Sequence, residues 1–106
     1  MKYLLIFENF NLMIGKSKID GLGLFTQVDI PVNTKICLIA DISKKDGTDN
    51  WVNEYGHRIN HSNTPNTKVK MVGTKCYLVS LRDIKAGEEL VDDYRKIPSF
   101  FSKKIR

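Results

Sequence analysis

Hydrophobic positions along this chain form short runs rich in β-branched and aromatic residues, and glycine, proline, asparagine or aspartate separates each run from the next. This pattern is typical of β-strands joined by tight turns. No window keeps a sustained helical period, and we expect one helical turn within Asp49–Tyr55. The fold class is therefore mainly β with little helix. The pattern predicts strands at Tyr3–Phe7, Leu12–Ile14, Leu24–Gln27, Lys35–Ile42, Thr67–Val72, Cys76–Leu81 and Glu89–Asp92. The run Val69–Val72, the turn Gly73-Thr74 and the run Lys75–Leu78 together predict a β-hairpin.

Two segments of the chain repeat one local pattern. The stretches that begin at Asp29 and at Asp83 both start with Asp-Ile and carry an apolar residue six positions after the isoleucine. Each is interpreted as the end of a strand, a turn and the start of a new strand. Since two copies are too few for a solenoid, the sequence predicts a compact β fold that uses one turning device twice.

The length and charge of the chain limit its organisation and its partners. With 106 residues it is expected to form a single domain, residues 1–106. Seventeen Lys and Arg residues against twelve Asp and Glu residues give a net charge of +5, and part of the excess lies near the C-terminus. Such a basic end is usually solvated; otherwise it contacts nucleic acid or an acidic protein surface.

The cysteines and the N-terminal run indicate the compartment. Cys37 and Cys76 each lie in an apolar run, which predicts buried thiols in a reducing compartment. The cysteine and histidine spacings do not match a zinc site, so no metal is predicted. The apolar run Met1–Phe7 is too short for a signal sequence, and no segment is long enough to span a membrane. We therefore expect a cytoplasmic protein that does not bind membranes.

The most informative stretch is the polar run Asn60–Asn66, which directly follows the apolar Ile59. Its polarity and Pro65 exclude a helix interior and a central strand. Side chains in such a loop bond to the backbone or to a ligand. By itself, His61 is more simply explained as a hydrogen-bonded core residue.

Two further segments are ambiguous when each is taken alone. In residues 20–25, Gly21 and Gly23 flank a single residue, and glycines allow positive φ and close approach of the backbone to a ligand. A tight turn is the simpler interpretation of that pair. Residues 81–94 predict a strand, a Lys-Ala-Gly turn and a second strand that ends at Tyr94, which alone would be an interfacial tyrosine.

Three segments between Ser17 and Tyr94 together resemble the SET-domain family of protein-lysine methyltransferases, in a minimal form like viral or bacterial members. They are the Gly-Leu-Gly segment, the Asn-His-Ser segment and the segment that runs from Gly-Glu-Glu-Leu to Asp-Tyr. The resemblance implies a β-clip-like arrangement of short sheets with a knot-like C-terminal crossing, a motif-bearing core at 17–94 and a tail at 95–106. It implies S-adenosylmethionine as the cofactor and Tyr94 as the catalytic residue. The cofactor-binding positions that it implies are Gly21, Leu22, Gly23, Asn60, His61 and Tyr94.

The implied reaction is methyl transfer from S-adenosylmethionine to the side-chain amine of lysine in a protein substrate. Many members carry an aromatic residue that shapes the lysine pocket at the position of Asp92. The insert between the first two motifs is short, which implies an open substrate groove or a wall supplied by a second subunit, and hence a possible homodimer. A histone substrate would place the protein in a host nucleus. The expected substrate-binding residues are Tyr55, Tyr77, Asp92 and Phe100.

Two other functions stay open at this point. Asp92, the short insert and Asn63, where the family often has cysteine, suit a SET-like module that binds the cofactor or a protein partner with weak or no catalysis. A basic nucleic-acid-binding module rests on net charge alone, because the lysine-rich stretches lack interleaved aromatic residues. Nucleic acid is therefore expected only as an indirect partner.

Overall fold

The computed structural model of the chain describes residues 11–45 and 51–96. Short strands make up most of its regular structure, which confirms the mainly β class. Two 3₁₀ turns, Ile42–Lys44 and Tyr94–Lys96, follow the third and the last strand. In chain order the other elements are β1 (Leu12–Lys16), β2 (Leu22–Thr26), β3 (Lys35–Asp41), helix α1 (Glu54–His57), β4 (Asn60–His61), β5 (Thr67–Val72), β6 (Lys75–Ser80) and β7 (Glu89–Asp92).

The strands form two small sheets. One sheet has the order β1-β2-β7-β4, and the other has the order β3-β6-β5. In the first sheet β4 runs parallel to β7, with Asn60 opposite Val91 and His61 opposite Asp92. This pairing places the Asn-His-Ser segment beside the strand that leads to Tyr94, although the two are far apart in the sequence.

Both sheets contribute side chains to one hydrophobic core. Leu24 and Leu90 face each other across β2 and β7, and both are fully buried. Full burial of a large apolar side chain stabilises the fold by about 1.5–3 kcal/mol. Both predicted thiols, Cys37 and Cys76, are fully buried. Other core residues are Ile30, Ile36, Ile39, Trp51, Ile59, Leu78 and Ile84.

The short helix α1 is fixed to β3 by its N-terminal cap. Asn53 accepts a hydrogen bond from the Gly56 backbone N–H at 3.0 Å, as expected of an asparagine cap, and donates one to the Leu38 carbonyl at 2.6 Å. Gly56 faces the β3 backbone, where a Cβ atom would lie 2.8 Å from the Ile39 carbonyl oxygen. Glycine at this position therefore lets the helix approach the strand.

The two Asp-Ile repeats pair with each other. Ile30 and Ile84 exchange two backbone hydrogen bonds of 2.8 Å. The Asp29 carboxylate accepts a bond of 2.9 Å from the backbone N–H three residues after Asp83. The Asp83 carboxylate accepts a bond of 2.9 Å from the backbone N–H three residues after Asp29. We call this reciprocal arrangement the turn pair.

The predicted limits of Thr67–Val72 and Glu89–Asp92 are exact, and the limits of the other predicted strands among the described residues differ by at most two residues. The predicted hairpin of β5 and β6 is confirmed, with Gly73 at φ 62° as the first residue of its two-residue turn. Strand β4 was not predicted, and α1 overlaps only the end of the predicted helical turn. Strand Tyr3–Phe7 and Phe100 lie outside the described residues.

The knot-like C-terminal crossing stays a prediction, because residues 97–106 are not described. Within residues 11–45 and 51–96, every helix is too short, or not apolar enough over its length, to cross a membrane.

Candidate active site

The side-chain amide of Asn60 lies where the three motif-bearing segments meet. Its Nδ2 atom is 3.1 Å from the Asp20 carbonyl oxygen and 3.3 Å from the Leu22 carbonyl oxygen. It also lies 2.8 Å from Glu89 Oε2 and 3.1 Å from Ser17 Oγ. A single side chain on β4 therefore joins the glycine-containing loop to β7.

Gly21 and Gly23 allow the loop at residues 20–23 to lie close to Glu89 on β7. Gly21 has φ +45°, in the left-handed region that favours glycine. A Cβ atom at Gly23 would overlap the Glu89 carboxylate and lie 3.1 Å from the Ser17 Cβ atom. The Ser17 hydroxyl is 2.8 and 3.0 Å from the two carboxylate oxygens. The Glu89 carboxylate thus occupies the space that the missing side chain of Gly23 leaves.

The polar groups around Asn60 Nδ2 include more hydrogen-bond acceptors than donors. A carboxamide has two N–H hydrogens, yet four oxygens lie within 3.3 Å of Asn60 Nδ2. Two of these oxygens are backbone carbonyls and one belongs to the Glu89 carboxylate. The Ser17 hydroxyl hydrogen is directed at Glu89 and supplies no further donor here. An oxygen-rich cluster of this kind suits a ligand that carries positive charge or several donors.

Tyr94 lies directly beside the Asn60–His61 strand. Its hydroxyl donates to the Ile59 carbonyl at 2.6 Å, and its backbone N–H donates to His61 Nδ1 at 3.1 Å. The rings of Tyr94 and His61 have centroids 5.1 Å apart and are tilted by 54°. The Tyr94 hydroxyl is thus held at the residue that precedes Asn60.

The hydrogen bonds of His61 define its tautomer. Because Nδ1 accepts from the Tyr94 backbone, the ring hydrogen of the neutral histidine lies on Nε2. Nε2 is 3.0 Å from Asn63 Oδ1 and donates to it. Asn63, the departure from the usual cysteine of the family, therefore has a local role in orienting the histidine.

Two adjacent carboxyl groups at the end of β7, those of Asp92 and Asp93, have opposite environments, and both residues are 2% exposed. Arg95 forms a two-point ion pair with Asp93, at 2.9 and 2.8 Å, which holds the pKa of Asp93 well below its usual range. Burial, with the Asp93 charge adding to it, raises the pKa of Asp92 from 3.8 to about 7. Asp92 Oδ1 accepts from the Asp93 backbone N–H at 2.7 Å, whereas Oδ2 has no hydrogen-bond partner among the described residues. Neighbouring carboxyls with pKa values pushed apart are typical of acid–base sites.

The Asn66 side chain forms hydrogen bonds to the backbone of β7, the strand that carries Asp92. It is 2% exposed; its Nδ2 donates to the Glu89 carbonyl at 2.8 Å, and its Oδ1 accepts from the Val91 N–H at 2.9 Å. The buried Thr67 hydroxyl donates to the Val91 carbonyl at 2.9 Å. The end of the polar loop therefore satisfies the backbone of β7 in place of another strand.

The predicted cofactor-binding positions are brought together, and Asp92 lies opposite His61 in the β4–β7 pair. Tyr55 lies in α1 and packs on the core, whereas Tyr77 lies in the other sheet, with Lys35 Nζ 4.6 Å from its ring centre. Substrate binding by Tyr55 and Tyr77 stays a prediction. The sequence did not identify Ser17 and Glu89 as site residues, although both lie within the motif-bearing segments.

Comparison with known proteins gives a family for this chain and solved structures of similar fold. A family model for the SET domain matches residues 39–95. No curated protein sequence matches the chain significantly. Among solved structures, a proposed histone methyltransferase from Plasmodium falciparum aligns with a TM-score of 0.60 and 23% identity over 79% of this chain and 92% of its own. A chain of Polycomb Repressive Complex 2 from Chaetomium thermophilum aligns with a TM-score of 0.63 and 24% identity over 89% of this chain and 17% of its own.

At these identities the two solved structures establish a shared fold, and the family assignment comes from the sequence model. That model spans 57 of the 106 residues and includes the polar loop, Asp92 and Tyr94. The mainly β fold with two small sheets is consistent with it. On this evidence the chain belongs to the SET domain family.

Proposed function

We propose that this protein transfers methyl groups from S-adenosylmethionine to the side-chain amine of lysine in a protein substrate. The observation that carries the proposal is the meeting of three distant segments in one place. Asn60 bonds to residues 20–22 and to Glu89, while the Tyr94 hydroxyl bonds to the residue before Asn60. Membership of the SET domain family supports the same activity.

The oxygen cluster around Asn60 suits S-adenosylmethionine, because the sulfonium and ammonium groups of that molecule are both positively charged. When bound, the cofactor supplies a methyl group activated by the positive sulfur. Backbone carbonyls and the Glu89 carboxylate are the acceptors that such a ligand needs. The residues that we assign to hold it are Gly21, Leu22, Gly23, Asn60, His61 and Tyr94.

Tyr94 would position the reacting groups. Since its hydroxyl hydrogen is directed at the Ile59 carbonyl, the hydroxyl oxygen acts toward a substrate as an acceptor. An oxygen held in this way can orient an amine hydrogen and meet positive charge without reorganising during the reaction. The backbone bond from Tyr94 to His61 holds the phenol in that place.

Asp92 would receive the target amine. A lysine amine has a pKa of about 10.4 in water and must lose a proton before it can attack. We assign Asp92 Oδ2, buried and without a partner among the described residues, as the acceptor of that proton. The proton leaves the ammonium nitrogen and protonates the carboxylate, which yields a neutral amine and a neutral carboxyl. A pKa of about 7 suits a group that gains and loses a proton near neutral pH.

The oligomeric state and the localisation that we propose are those expected from the sequence. We infer that a homodimer, or the substrate itself, closes the substrate groove left open by the short insert. We place the protein in the cytoplasm, or in a host nucleus if its substrate is a histone. Sedimentation equilibrium of the purified chain, with and without cofactor, tests the dimer.

The decisive experiment incubates the purified protein with a labelled methyl donor and a mixture of cell proteins, and detects methyl-lysine by mass spectrometry. Tyr94→Phe should lower the transfer rate about 100-fold, and calorimetry of the same variant measures how much of that loss comes from weaker cofactor binding. Ser43→Ala, which removes an exposed hydroxyl from a 3₁₀ turn, serves as the control and should leave the rate unchanged.

Two results would contradict the proposal in different ways. Equal rates for Tyr94→Phe and the unmodified protein would show that the assigned role of Tyr94 is wrong. Calorimetric binding of the cofactor with no transfer to any protein would instead favour a binding module without catalysis.

A further inference from the structure

The outer face of the second sheet carries a cluster of lysines that the proposed methyl transfer does not use. Lys68 and Lys70 lie on β5, and alternation along the strand puts both on the face opposite the core. Lys68 and Lys35 lie on either side of Val79, which pairs with both residues. We call Lys35, Lys68 and Lys70 the lysine face.

These lysines surround a groove with a volume of about 310 Å³, lined also by Asn33 and Val79. Among the described residues, none of the three lysines forms an ion pair; the ion pairs there involve Asp93 and Glu88. At the far end of the same sheet, Asp41 lies opposite Lys75, and the Asp41 carboxylate bonds to Ser43. Over residues 11–45 and 51–96, therefore, no ion pair compensates the positive charge of the groove.

An aromatic ring lies among these charges, although no aromatic residue is interleaved with them along the sequence. Tyr77 pairs with Lys70 across β5 and β6, and the Lys35 ammonium lies 4.6 Å from its ring centre. This cation–π contact holds the Lys35 ammonium over the sheet. The interleaving that was missing from the sequence is thus produced by neighbouring strands.

The geometry favours a phosphate chain as the ligand. Lys68 and Lys70 project about 7 Å apart, and Lys35 lies two strands away, about 10 Å from Lys68. Lysine is a point charge that binds phosphate without the planar geometry that arginine imposes. A groove with three such charges and only one apolar side chain in its lining offers no pockets for the side chains of a peptide. We propose that the lysine face binds the phosphate backbone of a single nucleic-acid strand, independently of base sequence.

The test measures binding of a fluorescent single-stranded oligonucleotide by anisotropy at several salt concentrations. Each phosphate contact contributes about −0.7 to the slope of log K against log salt, so three contacts predict a slope of about −2. The variant Lys68→Gln/Lys70→Gln should reduce the magnitude of that slope by about 1.4. DNA and RNA strands of the same sequence should respond alike, because the contacts are to phosphate.

A matched control separates this site from the effect of net charge. Lys44→Gln/Lys85→Gln removes the same two charges from exposed positions outside the groove and should leave the slope unchanged. An equal loss in both double variants would overturn the proposal, as would an oligonucleotide slope near zero in the unmodified protein. Tighter binding of poly-glutamate than of the oligonucleotide at equal charge concentration would also overturn it, in favour of an acidic protein partner. Thermal unfolding of each variant verifies that it is folded.

Discussion

Replacing Asp92 with asparagine removes a carboxyl group whose protonation the fold strongly perturbs. Asp92 is 2% exposed, and its Oδ2 atom has no hydrogen-bond partner among the described residues. Burial is the main cause that raises its pKa from 3.8 to about 7, and the charge of Asp93 adds to the effect. The backbone N–H of Asp93 and the nearby His61 act in the opposite direction.

The direction of the effect follows from proton linkage. Between about pH 4 and pH 7 the folded protein holds a proton on Asp92 that the unfolded chain has released. The free energy of unfolding therefore falls as pH rises through this window. A shift of roughly three pKa units, at about 1.4 kcal/mol per unit, corresponds to a loss of about 4 kcal/mol. In Asp92→Asn this contribution disappears, and the pH profile should be flatter by that amount.

Urea unfolding at a series of pH values measures the effect directly. The difference between the two profiles isolates Asp92, because both histidines are present in both proteins. Asp93→Asn is a useful comparison, because the lowered pKa of Asp93 stabilises the fold above about pH 4 and that contribution is lost as pH falls further. That variant should be less stable near neutral pH and should keep most of the fall between about pH 4 and pH 7. Parallel profiles for Asp92→Asn and the unmodified protein over that window would show that the pKa of Asp92 is not raised in the folded protein.

Three further substitutions test other parts of the structure. Gly23→Ala should displace the Glu89 carboxylate. The affinity for the cofactor, measured by calorimetry, should therefore fall, with little change in the melting temperature; unchanged affinity would contradict this. Gly56→Ala should destabilise the fold by about 1–3 kcal/mol through overlap with the β3 backbone, measured by urea unfolding. Asn66→Ala should cost about 2–4 kcal/mol, because it removes two hydrogen bonds and leaves the buried Val91 N–H unsatisfied; a loss below about 1 kcal/mol would show that water replaces the amide.

Local patterns were sufficient to predict most of the strands. The β5–β6 hairpin could be found because alternating side chains flank a Gly-Thr turn. Strand β4 could not, since two residues are too few to show an alternating pattern and the strand exists through its pairing with β7. Helix α1 was placed too early because Gly56, required by packing against β3, weakens the helical signal.

The candidate site was predictable as a set of motifs but not as a set of interactions. The resemblance indicated Asn60 and Tyr94, which the fold brings together. It did not indicate that Glu89 occupies the space beside Gly23, because that contact depends on how β2 and β7 pair. The burial of Asp92 and the lysine face likewise arise from strands that are distant in sequence, so no local pattern records them.

The turn pair has a consequence for how this molecule folds and opens. Its two carboxylate bonds connect residues 57 and 51 positions apart in the chain, so they close a ring that includes α1 and the β5–β6 hairpin. Closure over such distances is typical of slow folding. The ladder between β2 and β7 continues directly from this closure, through backbone bonds between Thr26 and the Gly87-Glu88 segment. Loosening of the turns would therefore separate the glycine loop from Glu89, and amide hydrogen exchange at Ile30 and Ile84 should report how often the proposed cofactor pocket comes apart.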